Sequence, residues 1–191
     1  SANIIVRANS FNGSSAIDVS AAGELTIEPY GNVFSSAYST SGLTLGSALT
    51  GLTIGKSTNT ANVTIASAVD VAGPITIYGG DIAVNENLNT TGGIAAGDIL
   101  LKGSGNIIQA SSKSFTTSGG DVTLWADSDG SGTGYIQLTG GSNSGITSGG
   151  GNIFLSGGTD LATGYAKGAA VKDETDSPGY IFYIAGVHLR N

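Results

Sequence analysis

The sequence predicts an all-β fold, a right-handed parallel β-helix (β-solenoid) of short strands with glycine-rich turns. Three observations carry that expectation. The first is a three-residue strand core, apolar–polar–apolar in most copies: Leu25-Thr26-Ile27, Leu43-Thr44-Leu45, Leu52-Thr53-Ile54, Val63-Thr64-Ile65, Ile75-Thr76-Ile77, Val122-Thr123-Leu124, Ile136-Gln137-Leu138 and Ile153-Phe154-Leu155. Strand side chains alternate faces, so the outer pair is expected to point to a core and the middle residue to water. The second is a phrase of two glycines, Asp or Asn, and an apolar run. It reads Gly79-Gly80-Asp81-Ile82, Gly119-Gly120-Asp121-Val122 and Gly150-Gly151-Asn152-Ile153, with a shorter copy at Gly97-Asp98-Ile99. The third is the period: roughly 18 to 24 residues per turn, with two or three short strands in each, as a stacked coil requires.

Along the chain, residues 1 to about 160 carry no helical stripe, because Ala sits beside Gly, Ser and Val rather than at a 3.6-residue spacing. Residues 160–179 read as a loop excursion from the solenoid, with the charged stretch Lys172-Asp173-Glu174-Thr175-Asp176 ahead of Pro178. Tyr180-Ile181-Phe182-Tyr183-Ile184 and Val187-His188-Leu189-Arg190 return to strand. Residues 1–191 are read as a single solenoid segment of about eight or nine coils, excised from a longer chain. A β-sandwich would need longer strands, and a propeller would need a period near 40 residues that these phrases do not keep. An antiparallel meander is the remaining alternative, since Gly-Gly pairs also suit hairpins.

Composition narrows the function classes. Apolar residues make up 39% of the chain and fall into the triplets, which separates it from a Gly/Ser linker despite 32 Gly. With 7 Lys+Arg against 14 Asp+Glu the net charge is −7, which argues against nucleic acid as a partner. The absence of Cys removes disulfides and thiolate metal sites. No apolar run approaches the ~20 residues of a membrane-spanning helix, so no membrane insertion is expected.

The phrases Gly119-Gly120-Asp121-Val122-Thr123-Leu124, Asp127-Ser128-Asp129-Gly130-Ser131-Gly132, Gly150-Gly151-Asn152-Ile153-Phe154-Leu155 and Gly23-Glu24-Leu25-Thr26-Ile27 resemble the β-helical repeat regions of large secreted bacterial surface proteins. The style is that of the filamentous-haemagglutinin-like and β-strand-repeat exoproteins, and it runs across about residues 20–165. The resemblance implies an extracellular, cell-surface location and a structural or adhesive role as a stalk that presents loops. It also implies partners among neighbouring solenoid segments, copies of itself joined end to end, or glycans on a host or neighbouring cell.

Each residue that could carry chemistry has a plainer role beside it. Asp127 and Asp129 alternate before a glycine turn in the manner of a Ca²⁺ loop, the one cofactor in view, but Leu138 stands where the twelfth-position Glu would be and Asp-Gly also makes ordinary turns. Trp125, by alternation, is expected on the outer face, where it could stack on a sugar with Tyr135, Tyr165, Tyr180 and Tyr183 around it. That gives the alternative function, a carbohydrate- or surface-binding module. A polysaccharide-degrading enzyme on the same scaffold would need convergent acids. Asp81, Asp98 and Asp121 would stack if their phrases coincide, yet each follows glycine at a corner, where Asp ordinarily bonds its own backbone. The lone His188 excludes His-based triads, and no catalytic residue is assigned.

Overall fold

A computed structural model of the chain describes residues 2–9, 17–19, 23–93, 97–162, 170–172, 180–182 and 188–190. Among them there is no helix. Strands of two to five residues assemble into one seven-stranded and two five-stranded sheets, and every pair within these three is parallel. The chain visits them in rotation: Ile75–Gly79 in the first, Ile82–Val84 in the second, Leu88–Asn89 in the third, then Ile99–Gly103 back in the first. This order is consistent with a β-solenoid and rules out the antiparallel meander. Ile17–Val19 and Leu43–Leu45 form a further parallel pair.

The triplets do what their alternation predicts. In the first sheet Ile4, Leu25, Leu52, Ile75, Ile99, Val122 and Ile153 stand in one register column. Val6, Ile27, Ile54, Ile77, Leu101, Leu124 and Leu155 stand in another. Both columns are core, and from Leu25 to Leu124 their members are almost wholly buried. The second sheet adds Val63, Ile82, Ile107 and Ile136, and the third adds Val69, Leu88, Phe115 and Ile146. Each such side chain contributes about 1.5–3 kcal/mol relative to exposure. Like sits on like from coil to coil, so every coil lends its neighbour an apolar floor.

The corners explain the glycines. Where the third sheet hands over to the first, Gly23, Gly73, Gly97, Gly120 and Gly151 occupy one column, and a Cβ on any of them would overlap the backbone of the coil before. At Gly120 the obstruction is the Gly97 carbonyl, and at Gly151 it is the Gly120 carbonyl. Buried hydroxyls close the same corner: Thr90 Oγ1 donates to Gly97 O (2.7 Å), and Thr117 Oγ1 lies 2.6 Å from Gly120 O. Gly80 and Gly134 play the equivalent part between the first and second sheets, and at Gly105 the obstruction is the Asp81 carboxylate. The Gly-Gly-Asp phrase therefore marks two different corners, one at Asp81 and another at Asp121.

Coil length varies more widely than the sequence spacing suggests. Asn62 and its neighbour Asp81 are 19 residues apart, whereas Asp121 and Asn152 are 31 apart. Loops absorb the difference, so the strand register is unaffected. Longer coils also mean fewer of them: the first sheet has seven strands rather than eight or nine. Within the stretch expected as a loop, 160–179, Ala170–Lys172 is a strand paired antiparallel with Tyr180–Phe182. The rest of that stretch beyond 162 lies outside the described residues. His188–Arg190 rejoins the third sheet beside Gly145–Thr147.

One buried side chain was not legible as structural. Asn59 Oδ1 accepts the Phe34 N–H (3.1 Å) while Nδ2 donates to Tyr78 O (2.9 Å), joining the coils on either side of its own. Replacing it by Ala would leave both backbone groups unpaired.

Two outcomes follow for stability, both read by denaturant unfolding. Gly120→Ala is expected to cost about 1–3 kcal/mol through overpacking, whereas Gly31→Ala, with nothing within 4 Å of the new methyl, is expected to cost far less. Asn59→Ala is expected to cost about 2–3 kcal/mol.

Candidate functional site

The acids that an enzyme would recruit are engaged in holding the coils together. The Asp121 N–H donates to Asp98 Oδ1 (2.8 Å), and the Asn152 N–H donates to Asp121 Oδ1 (2.7 Å). The same rung begins lower down, where the Glu24 N–H donates to Asn3 Oδ1 (3.1 Å). Asp81 belongs to a second ladder at the other corner. Its N–H donates to Asn62 Oδ1 (2.9 Å), its own Oδ1 accepts the Asn106 N–H (2.8 Å), and Asn106 Oδ1 accepts from Tyr135 (3.2 Å). Two expectations are thereby corrected. Asp98 and Asp121 stack but Asp81 does not join them, and each bonds the backbone of the next coil rather than its own. One pair tests the rule in reverse: Gly51, which has no side-chain oxygen, is followed in the column by Pro74, which has no N–H to give.

The outer face of the first sheet carries two columns. One runs Ile5, Thr26, Thr53, Thr76, Leu100, Thr123 and Phe154. The other ends Tyr78, Lys102, Trp125 and Ser156. Trp125 does face outward, as alternation predicts, but it is half-buried and engaged on two sides. Its Nε1–H donates to Gly158 O (2.7 Å), and the Lys102 ammonium lies 4.2 Å from the ring centroid. One face of the indole is thus taken by a cation, an attraction of the ring quadrupole.

Beyond Trp125 the chain enters the loop that held the calcium candidates. Asp127 has φ of 53° and is buried. Its Oδ1 accepts from Ser131 Oγ (2.9 Å) and from the Gly132 N–H (2.9 Å), while Asp129 Oδ1 accepts the Ser131 N–H (3.0 Å). Burial alone would push the Asp127 carboxyl up. The Ser131 hydroxyl and the N–H groups of Gly132, Gly134 and Thr133 outweigh it, holding the group below the ordinary value of 3.8. Asp127 is the organiser of its own turn. Among the described residues no three His, Cys, Asp or Glu side chains gather as a metal site.

Of the tyrosines expected around Trp125, Tyr135 is half-buried at the corner beside Asn106, and only its backbone is tied there. Tyr165 and Tyr183 lie outside the described residues. Tyr180 is placed only as the start of a strand, as is His188. Among the described side chains, Trp125 has Tyr78 two rungs away in its column. Sequence reasoning missed Lys102, whose signal was present: it follows the Ile99-Leu100-Leu101 run at the outward position that Trp125 holds one coil later.

Beside Lys102 lies a small cavity of about 150 Å³ at the edge between the first and second sheets. Its walls come from the 57–60 loop, Gly79, Ser104 and the Ser128-Asp129 turn, so four successive coils contribute.

Because the folded pKa of Asp127 is lowered, its contribution to stability is complete above the unfolded value near 3.8 and is lost as pH falls through the lower folded value. Followed by NMR, the Gly132 amide is expected to titrate with an apparent pKa below 3.8, and Asp127→Asn to abolish that titration. In the ladder, Asp121→Asn keeps the acceptor and is expected to be near neutral, whereas Asp121→Ala should cost about 0.5–1.5 kcal/mol by removing the hydrogen bond to the exposed Asn152 N–H.

Comparison of the chain with family models, with curated proteins and with solved structures returns no match.

Proposed function

We propose that this chain is a structural segment of a secreted bacterial surface protein: a right-handed β-helical stalk, of the filamentous-haemagglutinin-like kind, that holds loops at a distance from the cell. The observation that carries the reading is the pair of Asx ladders. Asn62, Asp81 and Asn106, and likewise Asp98 and Asp121, give a side-chain oxygen to the next coil, and Asn152 turns its Nδ2 back to Asp121. A protein built this way directs its acidic side chains into length and rigidity rather than toward a reacting centre. The hydroxyl-rich outer column of Thr26, Thr53, Thr76 and Thr123 supports the same reading, since it wets the surface with few charges. The right hand is favoured because strand–connection–parallel strand units adopt it in about 98% of cases. Extracellular location and end-to-end contacts with neighbouring solenoid segments belong to this proposal.

Two measurements test it. A variant with residues 75–98 duplicated adds one full coil, because Ile75 pairs with Ile99. It is expected to fold and to unfold at a higher denaturant concentration, as stacked repeats do. Incubation with a panel of acidic and neutral polysaccharides is expected to leave every polymer intact; depolymerisation of any of them would overturn the stalk reading in favour of an enzyme.

A further inference from the structure

Lys102 is, among the described side chains, a cation with no carboxylate or carbonyl partner. Among the side chains described, Arg7 is paired with Glu28, Lys113 with Glu86, and Lys56 donates to Gly31 O (2.8 Å). Lys102 meets no carboxylate and no carbonyl; its neighbour is the Trp125 ring, at 4.2 Å. It lines the 150 Å³ cavity together with Ser57, Thr60, Ser104, Ser128 and Asp129. The hydroxyls of those four Ser and Thr residues make no hydrogen bond with the described chain, although hydroxyls elsewhere at the corners are satisfied. Residues that carry an ammonium steadied on an indole, four free hydroxyls and one exposed carboxylate thus line a single concavity.

We propose that this cavity is a subsite for one uronic-acid residue of an acidic glycan. The ammonium of Lys102 takes the sugar carboxylate, a charge-assisted contact that neutral hydroxyls cannot replace. Asp129 and the Ser and Thr hydroxyls take the ring hydroxyls, which both donate and accept. Size sets the limit: the cavity is well below the ~300 Å³ at which pockets for larger ligands begin, so it accommodates one sugar residue and leaves the rest of the chain in solvent. Trp125 acts here by placing Lys102, not by stacking on the sugar, because the cation already occupies one face of its ring. The assignment is independent of the stalk reading, since a stalk without this subsite would still fold and extend.

The test is an NMR titration of the full chain with sodium glucuronate, with sodium acetate and glucose as separate arms. Saturable shifts at the amides of Lys102, Ser104 and Ser128 are expected with glucuronate, at least fivefold weaker with acetate or glucose. Lys102→Gln is expected to weaken glucuronate at least fivefold with the rest of the amide spectrum unchanged, and Asp129→Asn to weaken it through a second position. Absence of saturation with glucuronate overturns the proposal. So does an equal response to acetate, which would mark a simple anion site, or to glucose, which would mark a neutral one. Unchanged glucuronate affinity in both variants overturns it as well. None of these results touches the coil-duplication experiment, so the two readings fail separately.

Discussion

The close approach of backbone to backbone at the sheet corners is the constraint on which the rest depends. Parallel strands on successive coils lie about 4.8 Å apart, and at a corner the chain must turn without losing that spacing. A side chain at the turning residue would overlap the carbonyl of the coil before, as at Gly97, Gly120 and Gly151. Once the corner is glycine, the following residue has its N–H facing the previous coil. An Asp or Asn there supplies an oxygen to it, as Asp98 does for Asp121 and Asp121 for Asn152. Steric necessity at one position and hydrogen-bond necessity at the next together write the Gly-Asx phrase. At Gly51 the side-chain acceptor is missing, and the next residue in the column, Pro74, has no N–H to give it.

That constraint separates what may vary from what may not. Inward columns admit Ile, Leu and Val because each rests on its counterpart above and below, and a fully apolar column leaves no polar group to satisfy. Among the described residues, Gln109 departs from this. It stands between Val84 and Leu138, its Nε2 donates to Lys113 O, and its Oε1 is buried without a partner among the described residues. Tyr38, stacked on Phe34 with centroids 5.2 Å apart, is similar: its hydroxyl is buried without a partner and burial pushes its pKa up to about 12. Loops, by contrast, carry no register. Neighbouring rungs can be 19 or 31 residues apart because the surplus is looped out between strands. Loops and outer columns are thus the freest to vary, and that is where Lys102, Trp125 and the 127–134 turn are found.

Parts of the candidate site were readable in advance and parts were not. Trp125 was legible as outward-facing because period-2 alternation needs only its own strand. Its cover by Lys102 was not, because the two residues meet only when one coil is laid on another in register. Asp127 read as a turn residue with metal-like spacing. Its carboxylate was seen to serve the loop itself only once the positions of Ser131 and Gly132 were known. Asn59 gave no signal at all, since an isolated Asn in a Ser/Thr-rich stretch is indistinguishable from a solvated loop residue.

The sequence by itself determined the strand class and the core residues of the triplets, and it pointed to a coil while leaving an antiparallel meander open until the strand pairing was known. These rest on alternation and on glycine, both properties of short stretches of chain. Tertiary structure alone decided which phrases share a corner, because Gly79-Gly80-Asp81 and Gly119-Gly120-Asp121 are the same words placed at different turns of the coil. It decided as well that the acids act between coils and that Lys102 meets an indole rather than a carboxylate. Those outcomes depend on the register between segments 19 to 31 residues apart, and no local pattern of residues encodes a distance of that kind.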